Sequence, residues 1–257
     1  MSQFRDAWRA MCSPGPAPRF EAGDGVDYIF SGLPVAFFNV ALVTARDVSG
    51  QALAAMGERA CAWAAPTSLP WLFVVTHEAV ASGVNATSVL AGSGLVPMLP
   101  MTGMIANTLS PGTSVPDGLH LEVPADDAGC AAMLDVNGAA YGVDLEAGRP
   151  LFGRPAFWAD HVPVLGRTGG TPVASAAVLM ADGYRYVALV ATEPAHQRRG
   201  YAEAAMRHAL DVAAQRHGAR PSFLHATDAG RPIYARMGYR PVASHTAFID
   251  KRFLDGH

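Results

Sequence analysis

The part of this chain that most restricts its fold lies between residues 187 and 218. It begins with an apolar run, Val187-Ala-Leu-Val-Ala-Thr192, and continues through a polar loop, Glu193-Pro-Ala-His-Gln-Arg-Arg-Gly200. Over the next 17 residues Ala202, Ala205, Met206, Ala209, Val212 and Ala213 share one helical face, and Arg207, His208, Asp211 and Gln215 share the other. That periodicity predicts an amphipathic helix over 200–217, which needs another layer to cover its apolar side. Gly218 stands where a C-terminal glycine cap belongs, and Pro221 follows. A short apolar strand at 222–225 completes a strand–helix–strand unit, so the chain is read as an α/β protein.

The remaining patterns extend this reading. Strands are expected at 119–123 and 185–192, a helix at 126–138, and short helices with loop at 145–158. A hairpin over 162–166 and 172–180 turns at Gly169-Gly170. Residues 230–237 predict a short helix closed by Gly238, and 242–249 a last strand. The linker Ser110-Pro-Gly-Thr-Ser-Val-Pro-Asp-Gly118 is a strong break. It divides the chain into 1–115 and 116–257. The first half reads as a worn copy of the end of the second. Val89-Leu-Ala-Gly-Ser-Gly-Leu-Val-Pro97 parallels Ile233-Tyr-Ala-Arg-Met-Gly-Tyr-Arg-Pro241, and Ala41-Leu-Val43 parallels Ala188-Leu-Val190. Leu90 then stands where Tyr234 stands.

Composition excludes several function classes. Half of the 257 residues are apolar, only 16% are charged, and the formal net charge is -3. No basic excess points to nucleic acid or to an anionic membrane. Residues 79–116 hold no Asp, Glu, Lys or Arg, but Gly92, Gly94, Pro97, Pro100 and Gly103 interrupt them. A spanning helix wants about 20 largely uninterrupted apolar residues, so a buried helix followed by a buried strand is expected. Cys12, Cys61 and Cys130 are far apart and give neither a disulfide framework nor metal-ligand spacing. They fit a reducing compartment. No apolar stretch follows Arg5, Asp6 and Arg9, so a cytoplasmic protein without a metal is expected.

The loop carries the chemistry. A strand that turns tightly into a helix aims successive amides at one point, at the positive end of the helix dipole, which suits a pyrophosphate. Gly200 lets the backbone approach phosphates closely. No Gly-Lys-Ser/Thr and no G-x-G-x-x-G occur, which removes a Walker loop and a dinucleotide fingerprint.

Gln197-Arg-Arg-Gly200-Tyr-Ala202 resembles the Q/R-x-x-G-x-G/A signature of the GCN5-related N-acetyltransferase (GNAT) family. Ile233-Tyr234-Ala-Arg-Met-Gly238-Tyr239 resembles that family's Y-x-x-x-G-F/Y segment, in the right order and at plausible spacing. Glu193-Pro194 sits where the family has its x-Pro step. The resemblance covers roughly 119–249. It implies a mixed central sheet flanked by helices, here with two GNAT-like halves, and acetyl-CoA held between two splayed parallel strands, 185–192 and 222–225. It further implies that the main chain of Val190, Ala191 and Thr192 pairs with the pantetheine arm. The amides of Gln197, Arg198, Arg199, Gly200, Tyr201 and Ala202 would hold the pyrophosphate, and Tyr234 would point at the thioester sulfur.

Direct attack on a thioester needs a neutral amine, a stabilised oxyanion and a protonated leaving thiolate, and a phenol can protonate that thiolate. Glu193 is the first candidate base, His225 the second, and a water chain a third. The first half lacks the cofactor loop: after Val43 it reads Thr44-Ala-Arg-Asp-Val-Ser-Gly50. Its remaining work would be structural, with Phe37, Phe38, Trp63, Trp71 and Phe73 as core before pocket wall. The reading is an acetyl-CoA-dependent N-acetyltransferase for a small-molecule or peptide amine, monomer or homodimer. Its rivals are an acyl-CoA-binding sensor, a structural or interaction protein in which neither half binds CoA, and a transferase of longer acyl groups.

Overall fold

The computed structural model of the chain describes residues 2–112, 114–181 and 183–254. Thr113 of the linker lies outside the described residues. The elements run α1 (Ser2–Cys12), β1 (Arg19–Gly23), β2 (Val26–Phe30), β3 (Asn39–Val43), α2 (Gly50–Ala64), β4 (Leu72–Thr76), α3 (Ala86–Ala91) and β5 (Leu95–Ala106). Then follow β6 (Leu119–Glu122), α4 (Asp127–Tyr141), α5 (Arg149–Phe152), β7 (Val162–Thr168), β8 (Thr171–Ala181), β9 (Tyr184–Thr192), α6 (Tyr201–His217), β10 (Ser222–Ala226), α7 (Arg231–Arg236) and β11 (Arg240–Asp250). The order helix, hairpin, strand, helix, strand, short helix, strand occurs twice, from α1 to β5 and, with α5 added, from α4 to β11; β6 lies between the two. Neither the N-terminal helix nor the β1–β2 hairpin was foreseen from the sequence.

Two compact units form. The first takes the chain to Met104, then 226–231 and everything from Pro241 on; the second takes 105–225 and 232–240. In the first unit the strands lie in the order β1-β2-β3-β4-β11-β5. β11 runs antiparallel to β4, from His245 opposite Thr76 to Ile249 opposite Leu72. The strand that ends the second repeat therefore completes the first unit, whereas the sequence division at 115 leaves it with the second half. Every side chain of β2, β3 and β4 is buried. Trp71, Phe73 and Phe38 are core, and Trp63 is half-buried, stacked on Tyr28 with ring centroids 4.4 Å apart.

In the second unit the order is β10-β9-β8-β7-β6, antiparallel except for the parallel pair β9–β10. β8 is buried from Val173 to Leu179 on both alternating sets of side chains, so both its faces are covered, and α4 and α6 are the helices that contact it. Local signals set the helix ends. The Asp126 carboxylate accepts from the Gly129 amide at 2.8 Å, and Gly142 ends α4 in the left-handed conformation. The described linker residues are anchored in this unit: Arg207 donates to the Ser110 carbonyl at 2.8 Å, and the Ser110 amide donates to Met237 O at 2.9 Å.

One expectation is overturned. The uncharged segment 79–116 does not form a buried helix and a buried strand. α3 buries only Leu90. β5 is a 12-residue strand that leaves Pro97, Met98 and Pro100 exposed, Met98 by 45%. Pro97 and Pro100 have no amide to give to a ladder, which keeps this stretch at the surface. None of the described helices is long and apolar enough to cross a membrane.

Candidate functional site

The site is built on a fork between two parallel strands. β9 and β10 pair only at Arg185–Ser222 and Tyr186–Phe223. Beyond that β9 continues to Thr192 and β10 to Ala226 with no further ladder between them. The main chain of β9 after Tyr186 thus presents an open edge, which an extended polar chain can pair with as a strand would.

A bulge in β9 accompanies the parting. Its register against β8 passes from Ala188–Ala177 to Ala191–Ser175, three residues against two. Leu189 sits in the bulge with φ 51, a conformation that costs a branched residue about 1 kcal/mol or more. Side chains hold it there. Ser175 Oγ donates to Leu189 O at 2.8 Å, Asn137 donates to Ser175 Oγ at 3.4 Å, and the Tyr141 hydroxyl donates to Val190 O at 3.0 Å. Tyr141 therefore occupies one main-chain acceptor in the stretch Val190, Ala191, Thr192 that the sequence assigned to the cofactor arm.

The loop after β9 forms the second part. Arg198 and Gly200 both have positive φ, 63 and 80. Left-handed residues placed in this way turn neighbouring amides toward a common point, an anion-binding nest. Gly200 is the N-cap of α6 and no side chain caps that end. Gln197, Arg198, Arg199 and Gly200 are exposed, Tyr201 is buried and Ala202 half-buried. A Cβ on Gly200 would meet only Pro116, at 3.6 Å, so the approach to the cradle is open. The Gln197 amide turns back to Pro194 O at 3.5 Å; the amides that follow it, about half a positive charge of helix dipole and two arginines fit a pyrophosphate.

Tyr234, on α7, is buried, with its ring edge-on to Tyr239 at 6.2 Å. Burial first, and then the neighbouring phenols of Tyr141 and Tyr239, push its pKa well above the ordinary tyrosine range. It stays protonated at working pH, as a proton donor must. Tyr239 is locked by a 2.6 Å bond from its hydroxyl to Ser222 Oγ.

Glu193 is turned to its own loop. Its Oε2 accepts from the Ala195 amide at 2.9 Å and lies 3.2 Å from His196 Nδ1. His225 is at the fork instead, its Nδ1 3.0 Å from the Tyr186 hydroxyl. Sequence reasoning missed Tyr141 and Tyr186. Tyr141 could have been found as the last residue before the Gly142 cap, one helix long from the bulge; Tyr186 carries no signal separating it from strand core. Among the described residues no three His, Cys, Asp or Glu side chains cluster as a metal site would.

A parallel fork running into an uncapped helix N-terminus, on a mixed α/β sheet, is thus the frame of the site. Residues 135–239 match the family model described as the acetyltransferase (GNAT) family. Similar solved structures include a GCN5-related N-acetyltransferase from Kribbella flavida, 24% identical over 97% of this chain and 93% of its own, TM-score 0.69. Another, from Sphaerobacter thermophilus, is 15% identical over 87% of this chain and 75% of its own, TM-score 0.62. A tandem GNAT protein from the clavulanic acid biosynthesis pathway is 13% identical over 91% and 83%, TM-score 0.56. At these identities the likeness is one of fold, and it spans both halves. No curated protein sequence matches the chain.

Proposed function

We propose that the protein transfers an acetyl group from acetyl-CoA to a primary amine by direct attack. The observation that carries this reading is the β9–β10 fork ending in the uncapped nest at Arg198–Gly200. The open edge of Val190, Ala191 and Thr192 would hold the pantetheine arm and offer an amide to the developing oxyanion. The amides of Gln197, Arg198, Arg199, Gly200, Tyr201 and Ala202 would hold the pyrophosphate. Tyr234 would protonate the leaving thiolate. Glu193 and His225 are the two groups this reading has for removing the amine's proton.

The division of labour is part of the proposal. Residues 116–257 supply the catalytic domain, and 1–115 are a degenerate copy without the cofactor loop. The acceptor is a small-molecule or peptide amine, the donor needs no metal, and the setting is the cytoplasm, with the chain as monomer or homodimer.

Calorimetric titration with acetyl-CoA, followed by an amine screen that monitors free thiol, tests the reading. Binding with amine-dependent thiol release is expected. Absence of binding would remove the transferase reading. Binding without turnover on any amine would leave the non-catalytic sensor.

A further inference from the structure

The fork holds a proton-handling pair that the family signature does not include. Tyr186 is the last residue of β9 in register with β10, and His225 lies two residues beyond its partner Phe223. Tyr186, Phe223 and His225 form one ring cluster: Phe223 meets His225 edge-on at 4.9 Å, and Tyr186 lies 5.7 Å from Phe223 and 5.8 Å from His225. The Tyr186 hydroxyl and His225 Nδ1 are 3.0 Å apart. The phenols of Tyr234 on α7 and Tyr141 on α4 act on Tyr186. The first repeat offers a comparison inside the same chain. Where its fork is closed, β3 (NVALV) has no tyrosine and β4 (LFVVT) no histidine, and Leu90 replaces Tyr234.

We propose that Tyr186 and His225 act together as the base for the incoming amine. This rests on the acyltransferase reading. The ammonium gives one proton to Tyr186 Oη while the proton of Tyr186 passes to His225 Nδ1, so the phenolate is never formed. The nitrogen lone pair then forms the C–N bond, the C–S bond breaks, and the thiolate takes the Tyr234 proton. Tyr234 recovers a proton from the new amide nitrogen, and the imidazolium returns its proton to solvent. Glu193, capping its own turn, is left a structural part.

The experiment compares parent, Tyr186→Phe, His225→Gln and Glu193→Gln. Calorimetry with acetyl-CoA comes first, and equal binding by all four is expected; a parent that does not bind ends the transferase reading and this pair with it. Thiol release is then followed from pH 6 to 9.5 with 2-phenylethylamine and with hydroxylamine, which is largely uncharged near neutral pH. Tyr186→Phe and His225→Gln should each lose about 100-fold or more in kcat/KM for 2-phenylethylamine near neutral pH and show its acidic limb moved up toward the amine's own ionisation, with little change for hydroxylamine. Nitrogen NMR of the free parent should show the Nε2–H tautomer of His225, and Tyr186→Phe should remove that bias. An unchanged acidic limb, equal losses with both amines, or the same upward shift of the limb in Glu193→Gln instead would overturn the pair.

Discussion

The two repeats use one framework and differ where a cofactor would enter. In the second, β9 and β10 part after two paired residues, and a bulge interrupts β9. In the first, β3 and β4 pair at Val40–Leu72, Ala41–Phe73 and Leu42–Val74, and β2–β3 has an unbroken register. Beyond the strands a Val48–Val80 bridge closes the gap, with the Val48 amide donating to Ala79 O at 2.9 Å and the Ala81 amide to Val48 O at 3.0 Å. The helix ends differ in the same sense. Ser49 caps α2 by accepting from the Ala52 amide, whereas α6 begins at a left-handed Gly200 with no cap. Where main-chain groups are satisfied internally, nothing remains to bind a polar arm or a phosphate.

The largest effect should come from filling the cradle. Gly200→Trp places a ring over the open amides and forces an L-residue into φ 80. Acetyl-CoA binding should fall below detection in calorimetry, while Gly200→Ala, which leaves the cradle open, should retain part of it. If both variants bind as the parent does, the contrast between the two helix ends has no bearing on the cofactor.

Next is the exchange of the residues at the matched short helices. Tyr234→Phe should cut kcat by about 100-fold or more and leave acetyl-CoA affinity in place. The reverse change, Leu90→Tyr, should create no activity, since Leu90 is fully buried in the first unit. Overpacking there should cost about 1–3 kcal/mol in urea unfolding. A Tyr234→Phe enzyme with full kcat across pH would reduce Tyr234 to a core residue.

Much of this was legible in the sequence. The element order of the second half, the helix beginning near Asp126 and the cap at Gly218 follow from local chemistry, and so does the loop at 197–202. The helix face was read correctly at Ala205, Met206, Ala209 and Ala213 and missed at its edges, where Tyr201 and Leu210 are buried and Ala202 and Val212 half-buried, because a stripe inferred from alanines is loosely anchored. The fork was implied by resemblance alone, since strand parting depends on register between segments some 40 residues apart. Tyr186 and Tyr141 stayed hidden because an aromatic in an apolar strand or at a helix end reads as packing. The capture of β11 by the first unit was illegible too, as β11 carries the same apolar alternation whichever partner it takes.

A pH experiment sharpens the contrast between two histidines. His225 lies at the fork, while His245 is buried in the first unit, its Nδ1 3.0 Å from Thr76 Oγ1. A Cβ on Gly103 would come within 3.1 Å of His245 Nε2, so the ring is closely packed. Burial, above all, lowers its pKa to about 4, with Glu78 opposing and His77 assisting. In the unfolded chain the value is about 6.5. Between these values the unfolded state binds more protons, so stability rises with pH. The contribution is complete above about pH 6.5 and is lost as pH falls toward 4, on the order of 3 kcal/mol. Urea unfolding at pH 7.5 and 5 should show about 2 kcal/mol of that loss in the parent and much less in His245→Gln. The same slope in both would mean the acid sensitivity lies elsewhere.

The smallest effect expected is at the closed helix end. Ser49→Ala removes the oxygen that accepts from the Ala52 amide, a bond of 3.2 Å at an exposed position. Loss of such a cap costs about 1 kcal/mol. Thermal unfolding should therefore shift by only a few degrees, while acetyl-CoA binding and turnover stay at the parental level. The value of this variant lies in the freed amide. An uncapped α2 N-terminus still lacks the nest geometry of Arg198 and Gly200 and remains behind the Val48–Val80 bridge, so inorganic pyrophosphate should gain no second site. A second binding event in calorimetry would show that a cap alone separates the two repeats, and that the bulge and the fork are not required to hold the anion.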